Sequence, residues 1–326
     1  MNRDDSTKNP ISILAVGDLM MGGRALTILE ERGPDYPFDS TRTILQQADI
    51  SIANLEAPFT TRGVAFDKQY TFRVPPEYAI GVKRAGFDVL TLANNHVLDY
   101  GPEGLFSTSD ILDSLSIAHC GAGRDAKEAE RGVVLERGGW RVGFLAYSMT
   151  YPSEFWDGSE RCGTAYPHQG RMEAHIRSLK DSVDLVVVSF HWGGDLHVHP
   201  RPYQREYAHI AVDCGADLVV GHHPHVLQGL EMYQGRLIAY SLGNFVFGSY
   251  NRNAKESAML KVRFDSLGFL MAEVIPINVY NDDVAFQPRL LKGVKKQKVV
   301  QNLNTISMDL NAGKLILNDS GFIVLE

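Results

Sequence analysis

Five short apolar runs in this chain each stop at residues able to bind a metal ion, and that recurrence limits the folds open to it. Ile11–Val16 leads into Gly17-Asp18, and Asp49–Ala53 leads into Asn54-Leu55-Glu56. Asp88–Ala93 ends in Asn94-Asn95-His96, and Leu185–Phe190 ends in His191-Trp192-Gly193. Asp217–Val220 is followed by Gly221-His222-His223-Pro224-His225. Short apolar runs rich in β-branched residues read as buried strands. Helix-like stretches separate them, so the order of elements is that of an α/β protein. In α/β sheets ligands bind in the crevice beyond the carboxyl ends of the strands, and five such ends can converge there. Carboxylate, amide and imidazole without thiolate suit Mn, Fe, Zn or a similar divalent ion. The pattern predicts a metal centre of one or two ions, with two favoured.

Bulk properties narrow the partners. A formal charge of −7 argues against a broad nucleic-acid surface, which needs clustered Lys and Arg. The one basic stretch, Lys292–Lys298, reads as a solvated face or loop. Cys120, Cys162 and Cys214 are odd in number and far apart, with neither disulfide nor zinc spacing, which points to a reducing compartment. Residues 1–10 are polar, lack the apolar stretch of a signal peptide and read as a disordered tail. No apolar run approaches the ~20 residues of a membrane span, so a cytoplasmic protein is expected.

Up to about residue 250 the chain alternates strand and helix patterns. Helices are expected at Ser40–Gln47, Pro75–Ala85 (stopped by Gly86), Pro102–Leu115, Arg171–Lys180 and Tyr203–Cys214. Hairpins are expected around Gly138-Gly139, Gln234-Gly235 and Ser266–Gly268. Met149–His168, aromatic with scattered Pro and Gly, reads as a loop or lid. The strands beyond Gly221, including Ala258–Asp265 and Phe269–Ile277, are expected to complete a second sheet packed on the first. The pattern of Val299–Glu326 does not place that tail. A core over 11–250 with strands and tail over 251–326 forms one composite domain in this reading.

The motifs resemble those of the CapA family, named for poly-γ-glutamate capsule synthesis and grouped with calcineurin-like metallophosphoesterases. The likeness runs through Gly17-Asp18-Leu19-Met20, Asn54-Leu55-Glu56-Ala57-Pro58 and the stretch Leu92–Gly101 containing Asn94-Asn95-His96. It continues through His191-Trp192-Gly193, Gly215–His225 and Tyr240-Ser241-Leu242-Gly243-Asn244-Phe245. The resemblance implies a four-layer α/β/β/α sandwich, with metal at the strand ends. It implies Asp18 and His225 at a first ion, Asn95, His191 and His223 at a second, and Glu56 as a bridging carboxylate. Asn54 stands where the wider superfamily places a bridging Asp, and Met20 where it places a His, so the first ion is one imidazole short. His96 is implied as proton donor.

Around these lie residues with two readings each. In extended backbone alternate side chains share a side, so His223 and His225 pair while His222 faces elsewhere, as a hydrogen-bonded supporting residue. Asp99 either caps the following helix or orients His96. Trp192 is either a wall of the site or core. Asn244 belongs to the surroundings of the site. Arg24, behind the flexible Gly22-Gly23, is the best of several cations for an anionic substrate, ahead of Lys68, Arg73, Arg201 and Arg205. His197-x-His199 reads as a solvated loop, and His119, His168, His175 and His209 have no partner pattern.

Three functions remain open at this point. One is a metal-dependent hydrolase of phosphoesterase type, acting on an anionic small molecule or polymer. A second is metal-assisted chemistry on peptide or amide substrates, including Cα proton abstraction. The third is a non-catalytic component bound to polymer-synthase subunits, weakened by the missing membrane anchor that the resemblance implies for such partners.

Overall fold

The computed structural model describes residues 8–158 and 160–324. Its strands, in chain order, are β1 (Ile11–Leu19), β2 (Ile50–Leu55), β3 (Val89–Thr91), β4 (Ala118–Cys120), β5 (Ala122–Gly123), β6 (Val133–Arg137), β7 (Trp140–Ser148) and β8 (Gly163–Thr164). They continue as β9 (Leu185–His191), β10 (Leu218–His222), β11 (Leu230–Tyr233), β12 (Arg236–Ala239), β13 (Asn244–Val246), β14 (Glu256–Asp265), β15 (Gly268–Asn278) and β16 (Arg289–Leu290).

Two large sheets result. One runs β16-β15-β14-β1-β2-β3-β4, with β13 also paired to β1; the other runs β11-β12-β10-β9-β7-β6. β1 to β4 are mutually parallel, as are β7, β9, β10 and β12. Their carboxyl ends therefore deliver side chains to one end of the sandwich.

Strand alternation sorts side chains into layers. Ile11, Ile13 and Ala15 of β1, Leu185 and Val187 of β9, and Leu218 and Val220 of β10 share one buried cluster between the sheets. Leu14 and Val16 of β1 turn outward, into a buried cluster that also holds Leu105 and Leu112 of the Gly101–Ser114 helix. Val186, Val188 and Val219 turn outward on the other side, packing with Met172 and Ile176 of Gln169–Lys180 and Ala208 and Ala211 of Pro202–Asp213. Each fully buried Val, Ile or Leu contributes about 1.5–3 kcal/mol. The product is the helix–sheet–sheet–helix layering that the motifs implied.

The expected helices form within a few residues of their expected bounds, at Arg42–Gln46, Ala79–Ala85, Gly101–Ser114, Gln169–Lys180 and Pro202–Asp213. Gly86 ends its helix in a left-handed conformation, as required at that position. The Gly138-Gly139 and Gln234-Gly235 turns carry positive φ at both residues, the geometry of a tight hairpin.

Two expectations fail. The β14–β15 hairpin does not complete the second sheet: it joins the first, with Ile13 of β1 opposite Val262 of β14. Alternation marks a strand but does not say which open sheet edge it meets. Of the described strands beyond Gly221, β11 and β12 are the ones that extend the second sheet. The unplaced tail contains a helix, Gly293–Ser307, whose Val300 and Leu303 close the inter-sheet core. Lys292–Lys298 forms the start of that helix, and its lysines lie on or near the surface. Of the expected disordered tail, residues 1–7 lie outside the described residues. Lys8 and Asn9 are anchored, Lys8 to Asp184 at 2.8 Å and the Asn9 carbonyl by the Trp140 indole at 2.8 Å.

Candidate metal centre

Two glycines let neighbouring chain pass close behind the site. A Cβ on Gly17 would meet the Gly243 carbonyl at 1.9 Å, and one on Gly221 the Tyr240 carbonyl at 1.9 Å. Each precedes a residue of the centre, Asp18 and His222. The close passage lets the Asp18 amide donate to the Gly243 carbonyl at 3.0 Å and puts Asp18 in register with Asn244 of β13 and Asn54 of β2.

Asp18 is fully buried and surrounded by donors. Its Oδ1 accepts from Asn54 Nδ2 at 2.9 Å and lies 3.2 Å from His222 Nδ1. Its Oδ2 accepts from the His223 amide at 3.2 Å and lies 3.3 Å from His225 Nδ1. Burial pushes the Asp18 carboxyl up, but the contacts and charges of His222 and His225 outweigh it and hold the group well below its ordinary value. His225 Nδ1 also meets Asn244 Oδ1 at 2.9 Å. Burial opposes the charged ring, yet Asp18 raises the pKa of His225.

Glu56 has the opposite balance. Burial, reinforced by the negative charge of Asp18, raises its carboxyl well above the ordinary range. Oε2 accepts from Asn54 Nδ2 at 3.3 Å, whereas Oε1 is buried without a hydrogen-bond partner. That oxygen faces two imidazoles, His191 Nε2 at 3.6 Å and His225 Nε2 at 3.9 Å. His191 Nε2 is also 2.9 Å from Asn95 Oδ1. Burial and the neighbouring His223 push the His191 pKa well down. Burial and His225 push His223 down to about 4. Its Nε2 meets Asp195 Oδ1 at 3.3 Å, and its Nδ1 is buried without a partner.

These groups fit a divalent cation. Buried polar atoms are normally paired, so an orphaned carboxyl oxygen facing imidazole nitrogens marks a place for a positive charge. Glu56, His191 and His223 present donor atoms within 4.8 Å of one another, as do Asp18, Glu56 and His225. A third such group, Asp195 with His223 and His225, faces the solvent side.

Beside the centre stands His96. Its Nδ1 lies 2.7 Å from Asp99 Oδ2, which leaves Nε2 as the other ring nitrogen, on a side chain that lines the neighbouring cleft. Asp99 is wholly buried, accepts from the Phe72 amide at 2.6 Å and pairs with Lys68 at 2.5 Å. Lys68 also donates to the Asn95 carbonyl and lies 3.2 Å from His96 Nδ1. Burial pushes the His96 pKa down, against the pull of Asp99. The Phe72 ring packs on the imidazole with centroids 4.9 Å apart. The cleft itself has a volume of about 570 Å³ and is lined by Arg24, Lys68, Phe72, Tyr151, Phe247 and Tyr250 among others. Tyr151 belongs to the expected lid, which is tied down by Phe155 against Phe66 at 4.9 Å.

Asp18, Glu56, Asn95, His191, His223 and His225 thus meet at one place, with Asn54 among them. One neighbour departs from expectation, and two others take one of the two readings open to them. His222 does not face away, because His223 and His225 have φ of 95° and 58°, so the backbone there is not extended and alternation does not apply. Trp192 is core: one residue past His191 it turns to the outer face, stacks on Phe190 at 4.5 Å and donates to the Tyr240 carbonyl at 2.9 Å. Asp99 caps no helix; Tyr100 holds that position, and Asp99 orients His96. Met20 is buried in the apolar layer outside the first sheet. Asn94 and Asp195 also belong to the surroundings of the centre, and position alone hints at both: Asn94 adjoins Asn95, and Asp195 lies two residues beyond His191-Trp192-Gly193. Lys68 has no local signal to set it apart, since its role depends on a fold that brings it to Asp99.

Comparison with known proteins bears on the family and the fold. The Capsule biosynthesis protein CapA of Bacillus anthracis is 34% identical over 82% of this chain and 67% of its own length. The PGA biosynthesis protein CapA of Bacillus subtilis is 30% identical over 90% of this chain and 77% of its own. Among solved structures, a putative 5'-nucleotidase from Staphylococcus aureus aligns with a TM-score of 0.52 at 15% identity, covering 83% of this chain and 54% of that one. The NAD nucleotidase of Haemophilus influenzae aligns at 0.51 and 14% identity, over 92% and 63%. The fold is that of the calcineurin-like metallophosphoesterases. The profile of the family described as "Bacterial capsule synthesis protein PGA_cap" matches residues 12–249, and the chain belongs to that family.

Proposed function

We propose that this protein is a metal-dependent hydrolase of phosphoesterase type that acts on an anionic substrate in the making of a capsule or poly-γ-glutamate polymer. One observation carries the reading: the orphaned Glu56 Oε1, ringed by imidazoles, lies at the same strand ends as a His96–Asp99 dyad on an open cleft. Glu56, His191 and His223 would hold a divalent ion, with Asn95 beside them. Such an ion supplies Lewis-acid polarisation of the scissile group.

The chain's own residues do the rest. Asp99 keeps the proton of His96 on Nδ1, so Nε2 exchanges protons with substrate or water. The resting imidazole is neutral, and an anionic ester beside it favours the imidazolium that donates to a leaving oxygen. Arg24, 5.2 Å from the Tyr250 ring, has no carboxylate partner among the described residues and anchors the substrate's negative charge. The relatives' names as capsule and PGA biosynthesis proteins support the polymer context.

Purified protein reconstituted with Mn(II) or Zn(II) should cleave aryl phosphates or phosphodiesters, and chelation should abolish the cleavage. Inactivity toward every ester with metal demonstrably bound would overturn the hydrolytic reading.

A further inference from the structure

We infer that the centre holds a single divalent cation, on the Glu56–His191–His223 side, and that Asn54 keeps a second from binding between Asp18 and Glu56. The inference deepens the metal-dependent reading above and rests on it. Its basis is a chain of hydrogen bonds that leaves Asn54 only one way to face.

That chain starts at the backbone. The amides of His96 and Val97 donate to Asn94 Oδ1 at 3.0 and 2.9 Å, so the other end of Asn94 must be its amide nitrogen. Asn94 Nδ2 then donates to the Leu55 carbonyl at 2.8 Å and to Asn54 Oδ1 at 3.0 Å. With its oxygen so engaged, Asn54 turns Nδ2 inward, 2.9 Å from Asp18 Oδ1 and 3.3 Å from both Glu56 Oε2 and His191 Nδ1. Asn54 and Asn94 are both buried, and reversing either amide would oppose donor to donor or acceptor to acceptor.

An amide N–H pair therefore points where a cation joining Asp18 to Glu56 would have to lie. The nitrogen has no lone pair to offer, and its hydrogens carry positive charge. Asp18 has less need of a cation than Glu56, because both of its oxygens already meet donors. Its work is to hold His225 and the His223 backbone, as carboxylates behind metal-bound histidines do. Glu56 Oε1 and His223 Nδ1 have no such partners. On the Asp18 side His222 Nδ1 is also without a hydrogen bond, but it lies 3.2 Å from an Asp18 oxygen that already accepts from Asn54.

Metal stoichiometry tests this without reference to catalysis. The full chain, stripped and titrated with Mn(II), should bind one equivalent tightly by calorimetry and elemental analysis. Its electron paramagnetic resonance spectrum should be that of an isolated ion. Asn54→Asp, which replaces the inward donor by an acceptor, should bind two equivalents and show exchange coupling. Asn54→Gln serves as a second variant, and it should still bind one. Two tight equivalents in the unaltered chain would overturn the inference and leave the metal-dependent reading standing. No tight metal at all would overturn both. One equivalent in Asn54→Asp, folded as judged by circular dichroism, would remove Asn54 as the cause.

Discussion

Asn94 Nδ2 donates to Asn54 Oδ1 across 3.0 Å, and this bond between two buried amides orients the centre of the site. Asn94→Ala strands the His96 and Val97 amides, the Leu55 carbonyl and Asn54 Oδ1 at once. Each unsatisfied buried group costs about 1–3 kcal/mol. Urea denaturation should show a loss of at least ~3 kcal/mol. A loss below ~1 kcal/mol would mean that Asn94 is not the anchor.

His96→Ala should lower kcat by about 10²–10⁴-fold toward whichever ester is cleaved. Metal content should stay unchanged, because the imidazole is held by Asp99 and Lys68 rather than by the candidate ligands. Elemental analysis alongside steady-state kinetics separates the two effects.

Removing metal should destabilise the fold as well as stop turnover. At ion concentrations 100 times the dissociation constant, binding adds about 2.7 kcal/mol. Scanning calorimetry should show Tm falling with chelator and recovering with Mn(II) or Zn(II). His223→Ala should blunt that response, since it removes the imidazole whose Nδ1 is buried and unpaired.

Arg24→Met should raise KM for an anionic substrate with little change in kcat, and Arg24→Lys should restore part of the difference. That split is the sign of binding energy used equally in ground and transition states. A change confined to kcat would place Arg24 in the chemistry instead.

Asp157 provides a pH-dependent stability test away from the centre. Burial raises its carboxyl above the ordinary value, and Oδ2 has no hydrogen-bond partner. A raised folded-state value costs stability when the group is ionised, and the cost fades as pH falls from the folded pKa toward the ordinary 3.8. Asp157→Asn should therefore be more stable than the unaltered chain at neutral pH, and the advantage should shrink on acidification. Denaturation at several pH values reads this directly.

Much of this protein follows from local pattern. Apolar runs ending in Asp18, Glu56, Asn95-His96, His191 and His223-Pro224-His225 announce strands with ligands at their ends, because strand periodicity and residue chemistry are both written in neighbouring positions. Gly86, Gly138-Gly139 and Gln234-Gly235 mark their turns because the required positive φ is paid for at single residues. What pattern leaves undecided depends on groups brought from far along the chain. The β14–β15 hairpin could have met either open sheet edge, and only packing seated it on β1. His222 turned inward because the backbone after it leaves the extended region. Asn54 and Asp18 took their roles from Asn94, His225 and Asn244, which are remote in sequence. Spacing names the residues that can bind an ion; only the folded hydrogen-bond network decides which of them keep a lone pair free to do so.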